Sequence, residues 1–240
     1  MHNVTLYIPG LFHFIPEYTK QELSDLKSIR NLLNYGTIRE IPSASYLERI
    51  AELFSLTKQS VGDIPYAAIS RLSIEESRPS GVWMLADPVY LKPTSSGLML
   101  NDSRQFALNR HDILAIASHL NDLFAEHGCL LEVPENNHWY LQLPSVPYLF
   151  THDIHQVAGQ DISEFLPSGE DESHWISLFN EIQMRLYDCD VNKQREARGE
   201  LPINSLWFWG VGEIPRNLER RWFRVYTDEV MVDSICMLSS

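Results

Sequence analysis

At 240 residues, 44% of them apolar and 11% aromatic, the chain is long and apolar enough to bury a core, which excludes intrinsic disorder. Its formal charge of −13, from 32 acidic and 19 basic residues, argues against nucleic acid as a partner, because phosphate contacts need a basic footprint. No apolar run approaches the ~20 residues of a membrane span, and residues 1–9 lack the basic and apolar parts of a secretory signal. Cys129, Cys189 and Cys236 are too few and too scattered for a disulfide or zinc framework, so a cytoplasmic protein without a membrane partner is expected.

Residues 4–8 (Val-Thr-Leu-Tyr-Ile) predict a short buried strand ended by Pro9 and Gly10. Thr19 and Glu22 make a capping box for a helix from Lys20, whose Leu23, Leu26, Ile29, Leu32 and Leu33 share one face. A second box, Ser45 with Glu48, opens a helix that packs through Leu47, Ile50 and Phe54. Asp63 is placed to cap a short helix over Ala67, Ala68 and Leu72. Past Arg78-Pro79-Ser80-Gly81, residues 82–91 and 98–100 predict strands joined by a turn-rich 92–97. An amphipathic helix follows, with Ile113, Leu114, Ile116, Ala117, Leu120, Leu123 and Phe124 inward and Gly128 as its stop. Strands over 129–133 and 139–143 complete a compact α+β unit. After a proline-rich loop, a helix spans 172–187 with Trp175, Ile176, Phe179, Ile182 and Leu186 on its inner stripe. The continuous apolar run Leu206-Trp207-Phe208-Trp209 predicts a strand buried on both faces, as at the centre of a helix-covered parallel sheet.

Residues 191–204 (Val-Asn-Lys-Gln-Arg-Glu-Ala-Arg-Gly-Glu-Leu-Pro-Ile-Asn), the strand after them and Gly210-Val-Gly212 carry a resemblance. The block resembles the segment before a core strand and G-x-G turn in archaeal-type cofactor-independent phosphoglycerate mutases, of the alkaline phosphatase superfamily. It is similar, more closely still, to a bacterial family of RpfE-type regulatory proteins, which Asn180-Glu-Ile-Gln-Met184 also fits. Residues 45–51, 63–73, 86–89 and 159–163 resemble further mutase blocks in the same order. The resemblance implies an α/β fold: an alkaline-phosphatase-like core sheet flanked by helices, from residues 1–79 and 150–240, with 80–149 inserted as an α+β cap.

Two departures shape the functional expectation. Pro9 stands where the resemblance implies a metal-binding Asp, and no Asp/His block of the family's C-terminal kind occurs before Ser240, so that part of the family fold is expected to be missing. Two-metal phosphoryl transfer needs both ions to hold the phosphate and activate the nucleophile. The expectation is a catalytically degenerate mutase-like protein with a regulatory role. The alternatives are a metal-dependent phosphomutase or phosphatase with atypical ligands, using manganese or zinc, and a fragment of a longer protein with no function of its own.

Thr37 falls where the resemblance implies the nucleophile; it would need an adjacent base or metal, and a plain loop threonine is the alternative. His152, Asp153 and His155 form a tight cluster of metal-ligating types, in a loop where polar residues are also ordinary. Gly210 and Gly212 either let backbone N–H groups approach an anion or reverse the chain. Asn192, Arg195 and Asn204 either face the cleft at the strand's carboxyl end or tie loop backbone together. The ligand expected is a small phosphorylated molecule or a protein partner. Arg216, Arg220, Arg221 and Arg224 either grip an anion or form a solvated helix face. Trp207 and Trp209 read as core rather than an aromatic platform, and Asp188 and Asp190 beside Cys189 disfavour a nucleophilic thiolate. Self-association through the C-terminal third is expected, with Val230, Val232, Ile235 and Leu238 near the contact.

Overall fold

The computed structural model describes residues 45–56, 63–75, 78–95, 97–135 and 138–239, with isolated positions 5, 7, 27, 31 and 35 before them. Pro9, the Thr19/Glu22 box and Thr37 lie outside the described residues. The chain divides into two compact units, residues 1–46 and 47–240, and the architecture that follows is that of the second.

Helix α1 (Tyr46–Leu53) buries Leu47, Ile50 and Ala51, the face that its apolar spacing dictates. Helix α2 (Tyr66–Ser70) is buried at every position and runs into a 3-10 turn, Arg71–Ser73. Asp63 does not cap it. The cap position is Pro65, with no side-chain bond, and the Asp63 carboxylate is drawn to the Thr151 backbone instead.

Strand β1 (Val82–Pro93) is the hub of the sheet. It pairs antiparallel with β2 (Leu98–Asn101) through Tyr90–Pro93 and with β4 (Tyr140–Leu143) through Val82–Leu85; β3 (Leu130–Glu132) lies beyond β4. Strand β5 (Ser205–Glu213) pairs with β1 from Val82 to Val89. Burial of β5 on both faces is as expected, but the pairing is antiparallel, not parallel. Helices on each side suffice to bury a strand, whatever its neighbour's direction. This strand pair joins the 80–149 segment to the rest of the chain: β1 lies inside that segment and β5 outside.

Helix α3 (Arg110–Glu126) starts where the Asn109 side chain accepts from the Asp112 amide, and Gly128 ends it at a φ of 68°. Helix α4 (Ile154–Val157) is a single turn capped by Asp153, and α5 (Glu172–Tyr187) spans the residues predicted for it. Together α3 and α5 cover one face of the sheet, where Phe208 meets Phe124 and Trp175 edge-on at 6.5 and 5.2 Å. Helix α6 (Asp190–Ala197) precedes β5. On the other face α2 lies against β1 and β5, and α7 (Val230–Leu238) packs on α2. That packing buries Val232 and Ile235 within the chain, while Val230 is left 56% exposed. Among the described residues no helix is long and apolar enough to cross a membrane.

Candidate functional site

A cleft of about 360 Å³ opens where α1, α2, the loop before α4 and the middle of β5 meet. Its lining includes Glu48, Asp63, Tyr66, Thr151, His152, Asp153, Trp209 and Gly210. Gly210 makes the close approach there. Its φ is 67°, and a Cβ at that position would stand 3.1 Å from the Tyr66 Cβ, so a larger residue meets backbone strain and a tight contact.

A short chain of hydrogen bonds ties the walls together. The Gly210 amide donates to Thr151 Oγ1 at 3.3 Å, and that hydroxyl donates to Asp63 Oδ2. The Thr151 amide also points at both Asp63 oxygens, at 3.1 and 3.2 Å. Opposite, Tyr66 packs 6.1 Å from the Trp209 ring and its hydroxyl donates to the Leu47 carbonyl. Burial, and then the charges of Asp153, Glu48 and Asp63, hold the Tyr66 phenol well above its ordinary pKa. It stays protonated, a donor and not a base.

The three residues read as a metal cluster are neighbours in sequence but do not converge. His152 is turned to the backbone, its Nδ1 donating to the Phe165 carbonyl at 3.2 Å. Asp153 Oδ1 accepts the Gln156 amide at 3.0 Å as the cap of α4. His155 is exposed and lies edge-on to Trp209, with centroids 6.3 Å apart. Among the described residues no three His, Cys, Asp or Glu side chains are placed to hold a metal ion. These residues do not fit a two-metal centre.

The other predicted residues are braces. Asn192 donates to the Leu186 and Ile203 carbonyls at 2.8 and 2.7 Å and accepts the Ile203 amide at 2.9 Å. Asn204 pairs with both backbone groups of Leu91, extending the β1–β5 ladder through a side chain. Arg195 is fully buried; it bonds Asp112 at 2.8 Å and the carbonyls of Ala107 and Leu201 at 2.9 Å each. Of the expected constellation, only Gly210, His152 and Asp153 line the cleft among the described residues. Sequence reasoning missed Tyr66, Thr151 and the cleft role of Asp63; the one available signal was Thr151 beside the His/Asp cluster. Trp207 is core, 6.3 Å from Phe179, with its indole N–H on the His152 carbonyl at 2.8 Å. Burial foremost, with Asp190 adding to it, raises the Cys189 thiol, which is therefore not a ready nucleophile.

The fold and cleft thus define a mixed α/β protein: an antiparallel sheet between helices, with an acidic pocket at the middle of β5. No family model matches the chain. A stretch of 62 residues is 40% identical to a probable 2,3-bisphosphoglycerate-independent phosphoglycerate mutase of Geobacter sulfurreducens. The corresponding mutases of Methanothrix thermoacetophila and Methanosarcina barkeri are each 34% identical, over 61 and 62 residues. The Geobacter match takes in 26% of this chain and spans 16% of the mutase's length. Part of the chain is therefore homologous to these enzymes. The solved cofactor-independent phosphoglycerate mutase of Thermoplasma acidophilum aligns at a TM-score of 0.47 and 14% identity, over 72% of this chain and 48% of that one. A likeness at that level is too weak to argue from.

Proposed function

We propose that this chain is a phosphoglycerate-mutase-like protein without metal-dependent phosphoryl transfer, acting in the cytoplasm by binding a protein partner, in an RpfE-type regulatory role. One observation carries the reading: the carboxylates best placed to be ligands are bound into the framework. Asp63 holds Thr151 and through it Gly210, and Asp153 caps α4. Pro9, standing where the resemblance implies a metal-binding Asp, supports the same conclusion.

Electrostatics favour a protein partner over a small phosphorylated ligand. Glu48, Asp63 and Asp153 line the cleft, and its described lining contains no Lys or Arg. Each carboxylate about 4 Å from a phosphate charge costs roughly 4 kcal/mol at an effective dielectric of 20. A phosphorylated ligand would have to bring its own cations.

The test is an assay of 3-phosphoglycerate isomerisation and p-nitrophenyl phosphate hydrolysis with manganese, zinc or magnesium, against a Thr37→Ala control. Equal rates are expected. Turnover well above the control, with stoichiometric metal in the purified chain, would establish the rival reading of an active phosphomutase or phosphatase.

A further inference from the structure

The acidic chain gathers four of its arginines, Arg216, Arg220, Arg221 and Arg224, into one stretch after β5. All four are exposed, and the stretch is irregular rather than the solvated helix that the spacing suggested. Among the described residues, three of them have neutral hydrogen-bond partners. Arg220 donates to the Trp222 and Phe223 carbonyls, Arg221 to the Glu52 carbonyl and Ser55 Oγ, and Arg224 to the Tyr226 hydroxyl. In a protein with 32 acidic residues, these bonds orient the guanidinium groups without neutralising them.

The stretch is also held in place. Arg78 donates to the Pro215 and Arg216 carbonyls at its start. Further on, the Trp222 indole donates to the Leu53 carbonyl at 2.8 Å, and Arg221 sits at the same C-terminal end of α1. Open carbonyls and the negative end of the dipole suit a cation there. With Trp222 turned inward, Phe223 and Tyr226 are left 88% and 84% exposed. Aromatic rings beside arginines are the composition enriched at binding hot spots.

We propose that residues 216–226 form a docking surface, separate from the cleft, for an acidic segment of a partner protein: Asp or Glu side chains around an apolar or aromatic anchor. The anchor would stack on Phe223 and Tyr226, and the carboxylates would meet Arg220 and Arg224. The basic track is narrow, since Glu213, Glu219, Asp228 and Glu229 are exposed within and on either side of it. A planar anionic membrane or a nucleic-acid duplex would press on those carboxylates as well. One extended peptide can follow the arginines alone, at distances within the ~8 Å over which charge acts in physiological salt. The inference stands whether the cleft is catalytic or not.

The test is fluorescence anisotropy of a labelled synthetic peptide of Glu and Asp around a Phe-Leu core, titrated with the full chain. Its Gln/Asn twin is the control. The acidic peptide is expected to bind and to weaken as salt is raised. Affinity should fall at least about tenfold for the twin and for an Arg220→Gln/Arg224→Gln variant whose circular dichroism is unchanged, a difference of 1.4 kcal/mol. Phe223→Ala should weaken binding without altering the salt dependence. No binding of the acidic peptide, or equal binding of its twin or by the double variant, overturns the proposal. So does tighter binding to phosphatidylserine vesicles than to the peptide, or a dimer that the double variant dissolves.

Discussion

Two polar clusters in this molecule are each centred on a buried aspartate and differ in what surrounds it. Around Asp112, Arg195 is fully buried and satisfied by one carboxylate and two carbonyls, with Arg198 reaching the same carboxylate at 2.6 Å. Around Asp63, the Thr151 and Gly210 bonds stand at the wall of an open cleft. The first lies in the block that carries the mutase resemblance, and its charge is consumed inside the protein. The second lies in a stretch of weaker resemblance; Asp63 is itself buried there, but with Thr151 and Gly210 it lines the cleft. A recognisable motif can thus mark a brace, while the groups able to meet a ligand sit where the sequence is plainer.

The largest effect that would break this contrast belongs to Trp207, which is core and also holds the cleft loop through the His152 carbonyl. Trp207→Ala should cost about 3–5 kcal/mol, the range for deleting a large buried ring. An unchanged denaturation midpoint would put the ring on the surface and reopen an aromatic platform.

Next comes Asp112→Asn, which leaves Arg195 buried without its closest counter-charge. The expected loss by urea denaturation is about 3 kcal/mol, the low end for a broken buried pair, because Glu200 remains 3.4 Å from the guanidinium. The sign with pH is fixed. Burial pushes the Asp112 carboxyl up, but the Arg195 hydrogen bond and the charges of Arg198 and Arg195 outweigh it, so the folded pKa lies below the ordinary value. Its contribution is complete above the unfolded value of about 3.9 and is lost as pH falls through the folded pKa. The Asn variant should show a shallower loss of stability in that acid window.

Asp63→Asn sharpens the contrast from the other side. The amide still accepts from Thr151 but less strongly, and about 1–2 kcal/mol of stability should go. Losing as much as the Asp112 variant would erase the distinction between buried brace and open wall. The smallest effect concerns His138, whose Nδ1 lies 3.3 Å from Asp87. Burial lowers its pKa, but the charge and hydrogen bond of Asp87 outweigh that and leave it above the ordinary value. This stabilisation is present below about pH 6.5 and fades as pH rises through the folded pKa. An NMR titration should place the histidine lower in Asp87→Asn.

Local pattern carried most of the fold that was legible in sequence. The apolar stripe of residues 172–187, the Gly128 stop and the β1–β2 turn rest on neighbours along the chain, and α5, α3 and the two strands appear there. What was misread depends on distant contacts. The direction of β5 is set by β1, and the role of Asp63 by Thr151, which no local pattern encodes. The cleft was half legible for the same reason. His152, Asp153 and Gly210 belong to types that attract notice, whereas Tyr66 reaches the pocket only because α2 packs across β5.

The position of β1 also bears on how the chain folds as it is made. Its widest pairing is with β5, and the Trp209 indole bonds the Asp87 carboxylate across 122 residues of sequence. During synthesis, α3, β3 and β4 can gather around β1 at once, but one edge of β1 waits for β5 to leave the ribosome. Such long-range pairing closes slowly. Until it closes, that edge of β1 stays unpaired along Val82–Val89, and the nascent chain carries the kind of open apolar strand that recruits other chains.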